Sequence, residues 1–397
     1  MVEPRQPRIA QEGYEVQLLM GGSPEHEEVE RELLARGVAL PLQHRAVWTR
    51  FRPAAGFWFL LARDPAGRNV GGFMLEVSIS RALPGHLLLL SERFGDSLPG
   101  EVAAPALRAL AALVRGDHRI LRLDMEIFVL DPTRRQALGA ALAEAGFRSA
   151  PLRRSYSETL TGELLPSDEE HLAALSANTR RHVRAIHKRP VVLRRVEDPA
   201  LGPRMEELLA ETLHRTGGAQ ESEDWRWRIA LSQAAPTQSR LIGLFRTDRE
   251  GPESLLAFAW GCAHGEYAHY DAAGSTRRSD IKMSFSYALM WDLMCWARHN
   301  GARWFDFGGI TGGDRDSDDP LGGVSDFKRH FGNTVQRVGE RWVLEPSAFR
   351  AGLARGVMAL ANVVRQVRAS AGRRSRRARD LTEMSEIVNG GSAPEQS

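Results

Sequence analysis

The sequence predicts a mixed α/β protein built from two successive α/β units, and three observations carry that expectation. The chain has 397 residues, beyond the ~250–300 at which a single hydrophobic core stops growing. Its 43% hydrophobic content supplies ordinary globular cores. Its apolar spacing switches back and forth between the two-residue period of strands and the 3.6-residue period of helices, and that cycle runs through twice.

In the first cycle, Val16 to Leu19 reads as a strand, and Glu25 to Arg36 as a helix behind the Ser23-Pro24 start signal. Gly56 to Arg63 and Val70 to Ser80 flank Asp64-Pro65-Ala66-Gly67 as a hairpin. Pro105 to Val114 follows as a helix, Arg119 to Phe128 as a strand, and Pro132 to Ala145 as a helix capped by Asp131 and closed by Gly146. The second cycle opens with a long helix from Asp168 to His187 and another from Glu206 to Arg215. Three strands come next, Leu241 to Arg246, Leu255 to Ala263 and Ala268 to Ala272, then an apolar helix from Phe285 to His299 and a buried strand from Trp304 to Gly308. After Glu345-Pro346 a helix is expected from Ala348 to about Arg368, before an arginine-rich, polar end. The expected division is a first domain over 1–165, a second over 166–345, a C-terminal helix over 346–371 packing on the first domain, and a basic, disordered tail over 372–397.

Composition narrows the function. No apolar run reaches the roughly 20 residues that span a bilayer, and MVEPRQPRIAQEGYEV lacks a signal-peptide core, so the expected location is cytoplasmic, with peripheral contact at the inner membrane face through the tail as an option. The two cysteines, Cys262 and Cys295, sit in apolar stretches and offer neither a disulfide framework nor a metal site. The twelve histidines form no HExxH pattern, so no metal is expected. Of 53 basic residues only Lys188, Lys282 and Lys328 are lysine. In so arginine-rich a chain, a retained lysine points to a need for a compact ammonium that a planar guanidinium does not imitate.

The specific signal lies in the second half. Tyr287 to Gly301, then Ala302-Arg-Trp-Phe-Asp-Phe-Gly-Gly-Ile310, then Asp319-Pro-Leu-Gly-Gly-Val-Ser-Asp-Phe-Lys-Arg-His-Phe-Gly332 follow an order of helix, strand, Gly-Gly turn and Phe-Lys-x-x-Phe-Gly box. This block, strongest over 267–344, resembles the FemABX family. The resemblance implies two tandem GNAT-like domains, and the short span from Arg215 to Leu241 leaves no room for the coiled-coil arm of some members. It also implies transfer of an aminoacyl group from aminoacyl-tRNA to an amine of a peptidoglycan precursor or related small acceptor, with no cofactor. Ser176-Ala-Asn-Thr-Arg-Arg-His-Val-Arg184 is similar to the family's basic helix, Thr212-Leu-His-Arg215 to its Thr-x-x-Arg element, and Gln43 to Arg52 to its Gln-Ser-x-x-Trp segment.

Aminoacyl transfer passes through a tetrahedral intermediate bearing a negative oxygen, which a preorganised cation stabilises. Lys328 is assigned that role, with Phe327 and Phe331 as the apolar wall along its stem. Asp306 and Asp319 are the carboxylates expected to position or deprotonate the acceptor amine. The resemblance further implies substrate contacts from Trp48, Arg52, Thr212, Arg215, Tyr270, Gly308, Gly309 and Phe331, with Arg52 and Arg215 gripping a diphosphate. Gly308 to Gly313 offers an anion nest, and Arg180, Arg181 and Arg184 are the expected tRNA contacts. Two alternatives stay open. One is an acyl-CoA-dependent GNAT-type N-acyltransferase, whose phosphate-loop string is matched only by Gln136 to Ala141, inside an expected helix. The other is a non-catalytic protein binding RNA or a membrane surface.

Overall fold

The computed structural model describes residues 2–4, 8–152, 156–217, 224–314 and 316–361. The first sheet is built from β1 (Arg8–Gln11), β2 (Tyr14–Met20), β3 (Gly56–Arg63), β4 (Asn69–Ile79), β5 (Leu87–Phe94), β6 (Ile120–Phe128) and β7 (Arg148–Ala150). The second contains β8 (Glu158–Glu163), β9 (Val191–Arg195), β10 (Ser239–Arg246), β11 (Leu255–His264), β12 (Tyr267–Ser275), β13 (Trp304–Gly309) and β14 (Thr334–Arg337). The chain then returns as β15 (Gly339–Leu344), which enters the first sheet between β6 and β7. The strand orders are β1-β2-β3-β4-β5-β6-β15-β7 and β14-β8-β13-β12-β11-β10-β9.

The two sheets therefore exchange strands across the expected 165/166 boundary. β8 precedes that boundary and lies in the second sheet, whereas β15 follows it and lies in the first. A buried ion pair anchors the returning strand: Arg341 Nε donates to Asp124 Oδ1 on β6 at 2.8 Å, and its Nη1 to the Pro151 carbonyl at 2.9 Å. Burying such a pair is tolerated because both groups are hydrogen-bonded.

The helices follow local signals. In α1 (Pro24–Ala35) the Ser23 hydroxyl accepts from the His26 amide at 3.2 Å. α2 (Ala46–Phe51) and α3 (Gly100–Gly116) follow, then α4 (Pro132–Glu144), capped by Asp131 as expected. The single helix expected over 168–187 is instead broken into α5 (Asp168–Ala174) and α6 (Ala177–Arg184). Ser176 causes the break by leaving helical geometry and accepting from the Thr179 amide, starting a new N-terminus. α7 (Gly202–Arg215), α8 (Arg226–Ala234), α9 (Phe285–His299) and α10 (Gly322–Arg329) complete the second unit.

One core lies under the first sheet against α3 and α4, and another under the second sheet against α9. A third joins the two units, with Leu19, Trp48 and Phe59 from the first packing in one cluster with Met205, Trp227 and Trp260 from the second. This shared core fixes the cleft between the sheets. Residues 348–361 are helical, and Arg350 donates to the His118 carbonyl of the first unit. The rest of the expected C-terminal helix and the tail lie outside the described residues. Among the described residues, no helix is long and apolar enough to cross a membrane.

Candidate active site

A cleft of about 1110 Å³ lies between the two units. Strand splaying opens it: β12 and β13 pair in parallel only over Tyr267–His269 and Trp304–Asp306. Beyond those rungs Tyr270 and Asp271 line one side, and Gly308 and Gly309 the other.

Lys328 projects from α10 into this opening. Its side chain is 6% exposed, and Nζ donates to the Gly309 carbonyl at 2.6 Å. An ammonium has three donors, so two remain for a ligand. The Tyr270 ring centroid lies 5.7 Å from Nζ. Burial pushes the Lys328 ammonium down to about 8, against the opposing pull of the Asp306 carboxylate.

The turn carrying Gly309 is held from behind. Asp306 is 3% exposed, and it accepts from the Gly308 amide at 2.7 Å, from the Tyr156 hydroxyl at 3.1 Å and from the Thr159 hydroxyl. Arg93 Nη2 lies 3.7 Å from its other side and stacks over Phe128. Gly308 has φ +81°, and a Cβ on Gly309 would come within 2.7 Å of the Tyr156 ring, so glycine is required at both positions.

Several expectations change here. Asp306 does not line the cleft and is saturated with donors, so it positions the Gly308 turn and Lys328 instead of meeting an acceptor amine. Asp319 is also off the cleft wall; hydrogen bonds from the Thr311 hydroxyl and the Leu321 amide hold its carboxyl below the usual range, at the entrance to α10. Phe327 and Phe331 pack against Tyr287, at 5.1 and 5.5 Å between centroids, and do not flank the ammonium. The nest is occupied from within, because the Gly308 amide is spent on Asp306 and the Thr311 amide on Ser325 Oγ.

Of the two diphosphate candidates, Arg52 lines the cleft, paired with Glu76 at 3.3 Å and lying over Trp227, while Arg215 does not. Arg215 and Thr212 bond Ser275 and pin α7 to the end of β12. Trp48 lines the cleft, stacked on Trp260 and edge-on to Trp227. Arg180 donates to the carbonyls of Ala173 and Leu175 at the end of α5, whereas Arg181 and Arg184 stand exposed on α6, away from the cleft wall. Burial pushes the Tyr270 phenol up.

Sequence reasoning missed Arg93, Tyr156, Arg228, Asp271 and Ser325, all on the wall. Arg228 lies over three indoles, those of Trp225, Trp227 and Trp260, at 4.3 to 4.6 Å. The Trp-Arg-Trp-Arg run at 225–228 was the available signal.

Residues 238–353 match the model of the FemAB family, a span covering β10 to β15 and therefore Lys328 and both cleft edges. Over that span the chain is similar to the FemAB family. Among solved structures, "Crystal structure of FemX" is similar over 80% of this chain and 96% of its own, at 15% identity and a TM-score of 0.59. A tandem GNAT protein from the clavulanic acid biosynthesis pathway aligns over 84% of this chain and 99% of its own, at 13% identity and a TM-score of 0.48. L-PGS from Bacillus licheniformis aligns over 87% and 98%, at 12% identity and 0.47. No curated protein matches. The expected double GNAT-like fold holds, shared with FemX over four-fifths of this chain.

Proposed function

We propose that this chain, like the FemAB family its residues 238–353 resemble, transfers an aminoacyl group from aminoacyl-tRNA directly to an amine, the acceptor being a peptidoglycan precursor or a related small molecule. The observation that carries the reading is the buried Lys328 ammonium, fixed on the Gly309 carbonyl at the splayed edge of β12 and β13 with two donors free. The amine attacks the ester carbonyl carbon, Lys328 stabilises the oxygen that becomes negative, and the ribose oxygen of the tRNA departs with a proton. No covalent acyl-enzyme is required. Cys262 is buried and Cys295 lies in α9, both with thiols pushed up by burial and neither on the cleft wall. Arg181 and Arg184 supply exposed charge for tRNA phosphate.

The acyl-CoA alternative is weakened by Gln136 to Ala141, which falls inside α4, where backbone amides bond internally. Incubating the protein with charged tRNA or acyl-CoA, each labelled in the acyl group, tests the reading. Transfer to an amine that RNase abolishes supports it, and RNase-insensitive transfer from acyl-CoA overturns it.

A further inference from the structure

The pairing of β11 with β12 contains an irregularity at the cleft. Trp260 pairs with Ala272 and Gly261 with Tyr270, so Asp271 has no partner opposite it. In a regular strand Tyr270 and Asp271 would face opposite sides of the sheet; this β-bulge turns both toward the cleft. Protein surrounds the Asp271 carboxylate, yet 33% of its side chain stays open to the cavity. Its ion-pair contact is His269 Nε2 at 3.7 Å, beyond hydrogen-bond length. The Tyr270 carbonyl, which begins the Asp271 peptide unit, and Lys328 Nζ both lie within 3.6 Å of the point where a Cβ on Gly308 would sit. The backbone leading into Asp271 therefore borders the expected oxyanion position, and Asp271 lines the same cleft.

The charged side chains described on the wall balance, with Arg52, Arg93, Arg228 and Lys328 against Glu92, Glu126, Asp224 and Asp271, so the wall lacks the cation excess that draws a polyphosphate.

We propose that Asp271 is the subsite that receives the ammonium of the acceptor and aims its nitrogen at the ester carbonyl beside Lys328. The inference rests on the aminoacyl-transfer reading. Asp271 binds and orients the amine and is not its base. Burial raises the Asp271 carboxyl, but the neighbouring His269 and the charges of Arg228 and Arg93 outweigh burial and hold it below the usual range. The ammonium loses its proton to cavity water, the neutral nitrogen forms the C–N bond, and the C–O bond to ribose breaks as that oxygen takes up a proton.

The test compares two nucleophiles with labelled aminoacyl-tRNA near neutral pH: L-lysine amide, an ammonium, and hydroxylamine, which is uncharged there. Asp271→Asn is expected to lose at least tenfold in kcat/KM for lysine amide, mainly through KM, and to keep transfer to hydroxylamine within about threefold. Asp271→Glu, which restores the charge, is expected to recover part of the loss. Equal losses for both nucleophiles, no loss for either, or a wild-type enzyme that uses hydroxylamine but not lysine amide would overturn the assignment. A wild-type protein inactive with both would sink the aminoacyl-tRNA reading itself.

Discussion

Replacing Lys328 by methionine separates catalysis from folding. The ammonium is held at about 8 instead of 10.5 because it is buried. At 1.36 kcal/mol per unit, keeping it charged costs the native state about 3 kcal/mol at neutral pH. Its bond to the Gly309 carbonyl returns roughly 1.5 kcal/mol, and that carbonyl faces a cleft where water can replace it. Lys328→Met, which keeps an apolar stem of similar length, should therefore leave stability at pH 7 unchanged or raise it by about 1–2 kcal/mol while abolishing transfer. The pH dependence has a fixed sign. Below about 8 both folded and unfolded lysine are protonated, and the native state carries the full cost. Between about 8 and 10.5 only the unfolded chain holds the proton, so wild-type stability rises with pH and the gap to the methionine variant closes. Transfer by the wild type should decline as pH rises through about 8, as the cation is lost. Chemical denaturation of both proteins from pH 6.5 to 10, alongside rates with charged tRNA, measures all of this. A variant weaker than wild type by more than about 2 kcal/mol at pH 7 would make Lys328 a structural residue. A rate that climbs through pH 8 would make the neutral amine the active form.

Asp306→Asn replaces an acceptor of three hydrogen bonds beside Arg93. It should cost roughly 2–3 kcal/mol and lower kcat more than it raises KM, and unchanged kcat would deny its hold on the Gly308 turn. Gly309→Ala drives a methyl to within 2.7 Å of Tyr156; a loss of about 1–3 kcal/mol and a tenfold fall in kcat are expected from melting and rate measurements. Arg181→Ala with Arg184→Ala should raise KM for charged tRNA and reduce the magnitude of the salt slope by about 1 per lost phosphate contact, with hydroxylamine KM unaffected. An unchanged slope would place the tRNA elsewhere.

Much of this architecture is legible in the sequence wherever a signal is local. The hairpin of β3 and β4 is announced by Asp64-Pro65-Ala66-Gly67, α4 by its Asp131 cap, and α9 with β13 by unbroken apolar patterning. The Phe-Lys box locates Lys328. What escapes depends on distant partners. β15 reads as an ordinary polar-apolar stretch, and only pairing with β6, some 215 residues earlier, gives it a sheet. The Asp271 bulge is a mismatch between two strands and cannot be seen in either alone. Asp306 and Phe327 are correctly placed near Lys328 by their spacing, yet chain proximity does not tell a group facing the cleft from one bracing it from behind.

The return of β15 also governs what can be cut from this protein. The span 238–353 that carries the family match is not a folding unit: its last strand, β15, has neighbours β6 and β7 that lie far upstream, and it omits β8 and β9 of its own sheet. Expressed alone, it would expose unpaired edges at both ends and leave Arg341 without Asp124. The same interlacing ties one lip of the cleft to the other through continuous backbone, so the two halves cannot drift apart as beads on a linker, and substrates must enter a gap whose width the chain has already set.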